Sequence, residues 1–240
     1  MHVKAIIAYD GNHFKGFQRQ NETSHTITSA IEVALRSLQI NSPIVGSGRT
    51  DAGVHATGQV IHFDLPVFWY DLEKLKLHLN RKLKEIEFKH ITKVSESFHA
   101  RFSAKKRIYR YVFKTQKLSI FEKKYISYYP EFDTLLLKES LKLFQGKQDF
   151  AYFHKTGSDT HTTIREIYRT AYKRRGHYHF VYFEANGFLR SQVRMMTEIA
   201  MRCAQGQISL DALNEQITCK KRHCTHLAPA QGLYLARIIY

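Results

Sequence analysis

The sequence predicts an α+β protein built from two successive βαββαβ halves with mainly antiparallel sheets. Three observations carry that expectation. Apolar residues switch along the chain between a spacing of two and a spacing near 3.6. The order strand, helix, strand, strand, helix, strand occurs once within residues 1–103 and again within residues 104–240. Positive charge is also divided unevenly between the same two segments. A chain of 240 residues is long enough for one large domain or two small ones, each with its own core.

The elements follow in order. Residues 3–9 (VKAIIAY) read as a strand closed by the turn signal Asp10-Gly11. Ile27, Ala30, Ile31, Ala34, Leu35 and Leu38 form one apolar helical stripe, with Thr26 as its N-cap. Residues 43–47 suit a short strand, and Gly58 to Leu65 alternates as a longer one. Leu72, Leu75, Leu79 and Leu83 space a helix over 71–83, and 86–94 alternates as a strand. The second half opens with a strand from Ile108 to Lys114. Asp133 then caps a helix carrying Leu136, Leu137, Leu141 and Phe144. Residues 163–173 and 177–185 read as a hairpin turning at Arg175-Gly176. Leu189, Val193, Met196, Ala200 and Cys203 space another helix, a short one fits 209–217, and Gly232 to Ile239 closes as a strand. Each half has the ferredoxin-like order. By analogy with such pairs, the two sheets are expected side by side around a basic cleft.

The net charge is +16 and the pI about 9.7, which points to a polyanionic partner. Residues 1–103 hold 13 Lys and Arg against 10 Asp and Glu, whereas residues 104–240 hold 24 against 11. Three basic triplets stand in or at the edge of the richer half: Lys105-Lys106-Arg107, Lys173-Arg174-Arg175 and Lys220-Lys221-Arg222. With 14 Tyr and 16 Phe in the chain, they favour RNA or DNA over an acidic membrane surface and are the candidate contacts to its backbone. No stretch approaches the ~20 apolar residues of a membrane span. Residues 1–11 read as a strand rather than a signal peptide, and three cysteines give no disulfide framework, so a cytoplasmic protein is expected.

The stretch VGSGRTDAGVHATGQVIHF, residues 45–63, is the most unusual. It is not a dinucleotide fingerprint, because Asp51 stands where the third glycine should be and a strand follows. Nor is it a phosphate-binding P-loop, which needs Gly-Lys-Ser/Thr before a helix. Two readings remain: a turn in which Asp51 bonds its own backbone, or a loop whose glycines let a bulky ligand reach Arg49 and Asp51.

The run Gly48-Arg49-Thr50-Asp51-Ala52-Gly53-Val54-His55-Ala56 resembles the signature of the tRNA pseudouridine synthase A family. Further segments resemble that family in order along nearly the whole chain. They are Tyr9-Asp10-Gly11, Gly16-Phe17-Gln18-Arg19-Gln20, Phe98 to Ala104, Tyr109-Arg110-Tyr111, Phe188 through Arg194, and Gly232-Leu233-Tyr234-Leu235. The resemblance implies isomerisation of uridine to pseudouridine in the anticodon stem-loop of tRNA, around positions 38 to 40. It implies a homodimer, no cofactor and no metal. By the same resemblance Asp51 is the essential carboxylate. Breaking the glycosidic bond builds positive charge on the sugar, which a carboxylate opposes. Either Asp51 attacks C1′ and forms a covalent adduct, or it removes a C2′ proton and gives a glycal. The resemblance assigns Arg49 to the space left by the flipped base and Tyr109 to stacking on uracil and moving its C5 proton. Arg194 pairs with the catalytic aspartate, and Phe188 and Leu233 wall the pocket.

The sequence departs from the family pattern at Arg81-Lys82-Leu83-Lys84, at Tyr152 and at Glu198, none of which is among the implied site residues. The cluster Cys219, His223, Cys224 and His226 lacks paired Cys-x-x-Cys knuckles and lies among Lys220, Lys221 and Arg222, so a loop facing RNA is expected there rather than a zinc site. The competing function is a non-catalytic RNA binder using Tyr109 and Tyr111 as a stacking platform. A methyltransferase is disfavoured because no glycine-rich loop follows a strand into a helix.

Overall fold

The computed structural model describes residues 1–157 and 160–240. The protein is mixed α+β, with five α-helices and mostly antiparallel strand pairs among the described residues. It divides into two compact units: Met1–Lys105 together with Leu235–Tyr240, and Lys106–Tyr234.

In the first unit the order is β1 (His2–Tyr9), α1 (Ile27–Arg36), β2 (Val45–Gly46), β3 (His55–Asp64), α2 (Leu72–Lys82) and β4 (Ile86–Lys93). Its sheet runs β4-β1-β3, with β2 on β3; beyond β3 lies the chain's last strand, β10 (Leu233–Ile239). Alternation sets the faces: Val3, Ala5, Ile7 and Tyr9 all point into the core. Thr26 caps α1 by accepting the Ser29 N–H, and the helix buries Ile27, Ile31, Ala34 and Leu35, four of the six stripe residues. Asp71 caps α2 in the same way through the Lys74 N–H. The departure after Asn80 leaves that residue well used. Its side chain donates to Phe88 O at 3.0 Å and accepts from Phe88 N at 2.7 Å, which ties the end of α2 to β4.

The second unit contains β5 (Lys106–Lys114), β6 (Ser127–Tyr128), α3 (Thr134–Leu143), β7 (Gly146–Asp149), β8 (Ile164–Arg175), β9 (Tyr178–Ala185), α4 (Gln192–Ala204) and α5 (Leu210–Ile217). Its strands order as β5-β9-β8-β7, and β6 adds in parallel to β5. The hairpin closes over the two residues Gly176 and His177, since Arg175 pairs with Tyr178. α3 packs on α4, and Tyr111, Phe113, Phe144, Phe150, Phe153 and Phe183 are fully buried. Each such ring contributes roughly 1.5–3 kcal/mol by leaving water. Two strands, β6 and β7, are additions to the expected order. β6 is two residues long and β7 reads GKQD, so neither carries an apolar alternation.

Candidate active site

In the first unit the Asp51 loop is held on both flanks. Thr50 is buried; its hydroxyl lies 2.8 Å from the Tyr9 hydroxyl, and its carbonyl accepts the Phe17 N–H at 3.1 Å. Upstream, the Ser47 hydroxyl donates to the fully buried Gln59 carboxamide at 2.6 Å, which in turn donates to Gly48 O at 2.9 Å. Downstream, the Val54 N–H donates to Asp51 O at 3.1 Å and closes a turn whose third residue, Gly53, has φ +77°. That is the backbone of a type II turn, which favours glycine there. The chain then enters β3, a strand, in keeping with the sequence argument against a phosphate cradle. The Asp51 side chain is half-buried and Arg49 is exposed.

Behind the loop, Gly11 approaches Val54 so closely that a Cβ on Gly11 would stand 2.1 Å from Val54 O. The Gly11 N–H donates to Nδ1 of the buried His55 at 3.1 Å. Asp10 Oδ1 also lies 3.3 Å from that nitrogen. These supports, Gln59, Ser47 and His55, were not singled out as functional from the sequence. Gln59 carries only the signal of a polar residue at an inward strand position and Ser47 none of its own, whereas His55 lies within the signature run.

In the second unit Tyr109 lies on β5 at 7% exposure and meets Phe188 edge to face, with ring centroids 5.2 Å apart. Phe188 precedes α4 rather than riding on it. Ser191 takes the left-handed conformation at φ +60°, and the buried Gln192 side chain accepts the Leu189 N–H at 2.7 Å. Leu189, the first member of the expected helical stripe, therefore stands before the helix.

Arg194, on the first turn of α4, is half-buried and clamped to Ala228. Its Nε donates to Ala228 O at 2.7 Å, and the Ala228 N–H donates to Arg194 O at 3.2 Å. The Nε bond fixes the plane of the guanidinium, and a planar guanidinium suits two-pronged recognition of an oxyanion. Leu233 is buried. Tyr111, which shares the Tyr109 face of β5, donates to Pro229 O at 3.0 Å, and its oxygen lies 2.7 Å from Ser127 Oγ, whose hydroxyl can donate to it. Burial raises the Tyr111 phenol far above its usual range, so it remains a donor. Glu198, one of the departures, accepts from Tyr129 at 2.9 Å and from Arg202 at 2.8 Å.

The basic triplets differ in how their charge is used. Lys106 Nζ is 2.8 Å from Glu184, and the Arg107 guanidinium donates to Asn186 O at 2.7 Å. Arg222 lies 4.7 Å over the Tyr152 ring, which gives that departure a packing role. Lys105, Lys173, Arg174, Arg175 and Lys220 are exposed or half-exposed along the surface, as is Lys221. In the Cys219–His226 segment, His223 Nε2 is 2.7 Å from Glu215 Oε2 and Cys224 is buried. Among the described residues no group of three or more His, Cys, Asp or Glu is placed to hold a metal ion. No described helix is long and apolar enough to cross a membrane.

Residues 5–103 and 141–240 match the family described as tRNA pseudouridine synthase. The chain is 39% identical to a tRNA pseudouridine synthase A of Campylobacter jejuni, over all of both chains. It is 37% identical to one of Wolinella succinogenes, covering 98% of this chain and 93% of that one. It is 36% identical to one of Geobacillus kaustophilus, covering 99% and 94%. Matches that span the length of the chain, on both sides of the Asp51 loop and across the elements bearing Tyr109 and Arg194, show that the chain belongs to the tRNA pseudouridine synthase family, enzymes that isomerise uridine in tRNA.

Proposed function

We propose that the protein isomerises uridine to pseudouridine in the anticodon stem-loop of tRNA, around positions 38 to 40, with Asp51 as the nucleophile or base. The observation that supports this most directly is the loop around Asp51. Its backbone is fixed on both flanks, and its glycines leave no side chains of their own to obstruct a substrate. In this reading a stem uridine leaves its stack, at a cost of a few kcal/mol, and Arg49 guards the vacated space. Asp51 meets the sugar, and the glycosidic bond from C1′ to N1 breaks. The base turns and rejoins through C5, and the proton on C5 is lost to solvent.

Tyr109 stacks on the uracil and supports that last proton transfer. Phe188 and Leu233 exclude water from the freed base. Arg194 pairs with the Asp51 carboxylate and fixes its orientation. The Lys173-Arg174-Arg175 and Lys220-Lys221-Arg222 triplets, with Lys105, Lys106 and Arg107, contact the tRNA backbone. We propose that the enzyme acts as a homodimer in the cytoplasm; three cysteines, all free, suit a reducing compartment. The test is to incubate an unmodified tRNA transcript with the protein and map pseudouridine by base-selective chemical labelling and primer extension. Modification at positions 38 to 40 alone is expected. Modification elsewhere in the tRNA, with none there, would overturn the site assignment.

A further inference from the structure

Gln216, on α5, is fully buried and makes four hydrogen bonds. Its carboxamide nitrogen donates to Tyr152 O at 3.2 Å and Cys224 O at 2.9 Å. Its oxygen accepts the N–H groups of His223 and Cys224, each at 2.8 Å. Every polar site of the amide is thus used on the backbone of one short stretch and one neighbouring turn. The chain that leaves this knot runs on as an extended strap to Ala228 and Pro229. There it meets the two side chains already described. Ala228 exchanges hydrogen bonds with Arg194 in both directions, and Pro229 O accepts from Tyr111, two residues from Tyr109 on the same strand. Ala228 is itself fully buried. The strap has no helix or sheet ladder of its own between residues 220 and 229, so its position depends on such side-chain pins.

We propose that Gln216 is a positioning residue for catalysis: by pinning residues 223–224 it sets the strap whose Ala228 carbonyl orients the Arg194 guanidinium. This rests on the reading of Arg194 as part of the active site. A guanidinium held through Nε has its terminal nitrogens aimed by the carbonyl that holds it, so a shift of that carbonyl is passed on as a rotation of the donor pair. A misplacement near 1 Å at a reacting centre costs on the order of 100-fold in rate. Removing the carboxamide leaves the buried Cys224 N–H, the half-buried His223 N–H and two carbonyls to find other partners, and the strap moves to supply them.

The test compares Gln216→Leu and Gln216→Glu in the full-length protein, each also in an Arg194→Lys background. Turnover is read by tritium release from C5-labelled tRNA, and the Arg194 guanidinium by the hydrogen exchange of its Nε–H in nuclear magnetic resonance spectra. Gln216→Glu is near-isosteric and keeps both acceptors, so it reports on the lost donors without a large change of volume. The expected result is a fall in kcat of about 10- to 100-fold with little change in KM. Nε–H exchange should quicken at a temperature where the variant is fully folded. In the Arg194→Lys background the same Gln216 substitutions should change kcat less than about twofold, because the group they orient is gone. An equal fall in both backgrounds, or unchanged Nε–H protection, would overturn the proposal. Absence of tritium release by the wild type would instead contradict the proposed function, while the exchange measurement would still decide whether Gln216 holds Arg194.

Discussion

At the scale of single residues, the loop is built by what cannot be larger or differently charged. Gly11 has no room for a Cβ, because Val54 O would lie 2.1 Å from it. Gly11→Ala should therefore cost roughly 1–3 kcal/mol by overpacking, visible as a lower midpoint in chemical denaturation. It should also depress turnover, since the displaced Val54 closes the Asp51 turn. Tyr109 separates two roles that one substitution can split. Tyr109→Phe keeps the ring against Phe188 and removes only the hydroxyl. If the hydroxyl helps move the C5 proton, kcat should fall by about 100-fold, the usual worth of a general acid or base, while tRNA affinity stays put. An unchanged kcat would confine Tyr109 to stacking. The sequence made Asp51 visible through the family signature in which it sits; by residue type alone, a turn in which Asp51 bonds its own backbone fitted equally well. It hid Gln59 and Gln216, because a buried polar residue that pins backbone has the same local pattern as any other inward residue.

At the scale of elements, periodicity was a good guide wherever an element buries one face. The α1 stripe and the Asp133 cap of α3 lie where spacing and capping chemistry put them, and the β8–β9 hairpin forms with its turn one residue later than expected, at Gly176-His177. It failed for β6 and β7, whose residues carry no alternation, and at the start of α4. There a left-handed Ser191 and the Gln192 side chain, not apolar spacing, set the boundary.

Element packing also predicts a pH response in the first unit. His62, on β3, accepts the Ala100 N–H at 3.0 Å and lies 4.9 Å from the rings of both His2 and His99. Burial, then the charges of His2 and His99, lower its pKa from 6.5 to about 4, against a smaller opposing pull from Asp64. His62 thus stays neutral when folded and takes up a proton more readily when unfolded. Its contribution is fully present above about pH 6.5 and is lost as the pH falls toward 4. His62→Asn keeps an acceptor near the Ala100 N–H but cannot titrate. The variant should lose less thermal stability than wild type between pH 7 and pH 5 (about the span of the shift). An equal loss in both proteins would show that His62 is not the group responsible.

At the scale of the whole molecule, net charge was the clearest sequence signal for a polyanionic partner, yet it does not say which cations are available. Lys106 faces Glu184, so its charge is partly committed within the fold. Replacing Lys173, Arg174 and Arg175 by alanine should flatten the salt dependence of tRNA binding by up to about three units of slope, near one per phosphate contact. Replacing Lys106 alone should change it by well under one. Equal effects per charge would mean that local pairing does not govern the interface. The family itself was legible in the signature around Asp51 and in the order of the weaker segments that flank it; how those segments support one another had to come from the fold. The proposed reaction requires Asp51 to be a reactant rather than a binding group. It is tested most directly by tritium release from C5-labelled uridine in unmodified tRNA, with wild type and Asp51→Asn measured beside tRNA affinity. Wild type should release tritium, Asp51→Asn should release none above background, and the variant should bind tRNA equally or more tightly. Release that survives in the variant would contradict that role for Asp51.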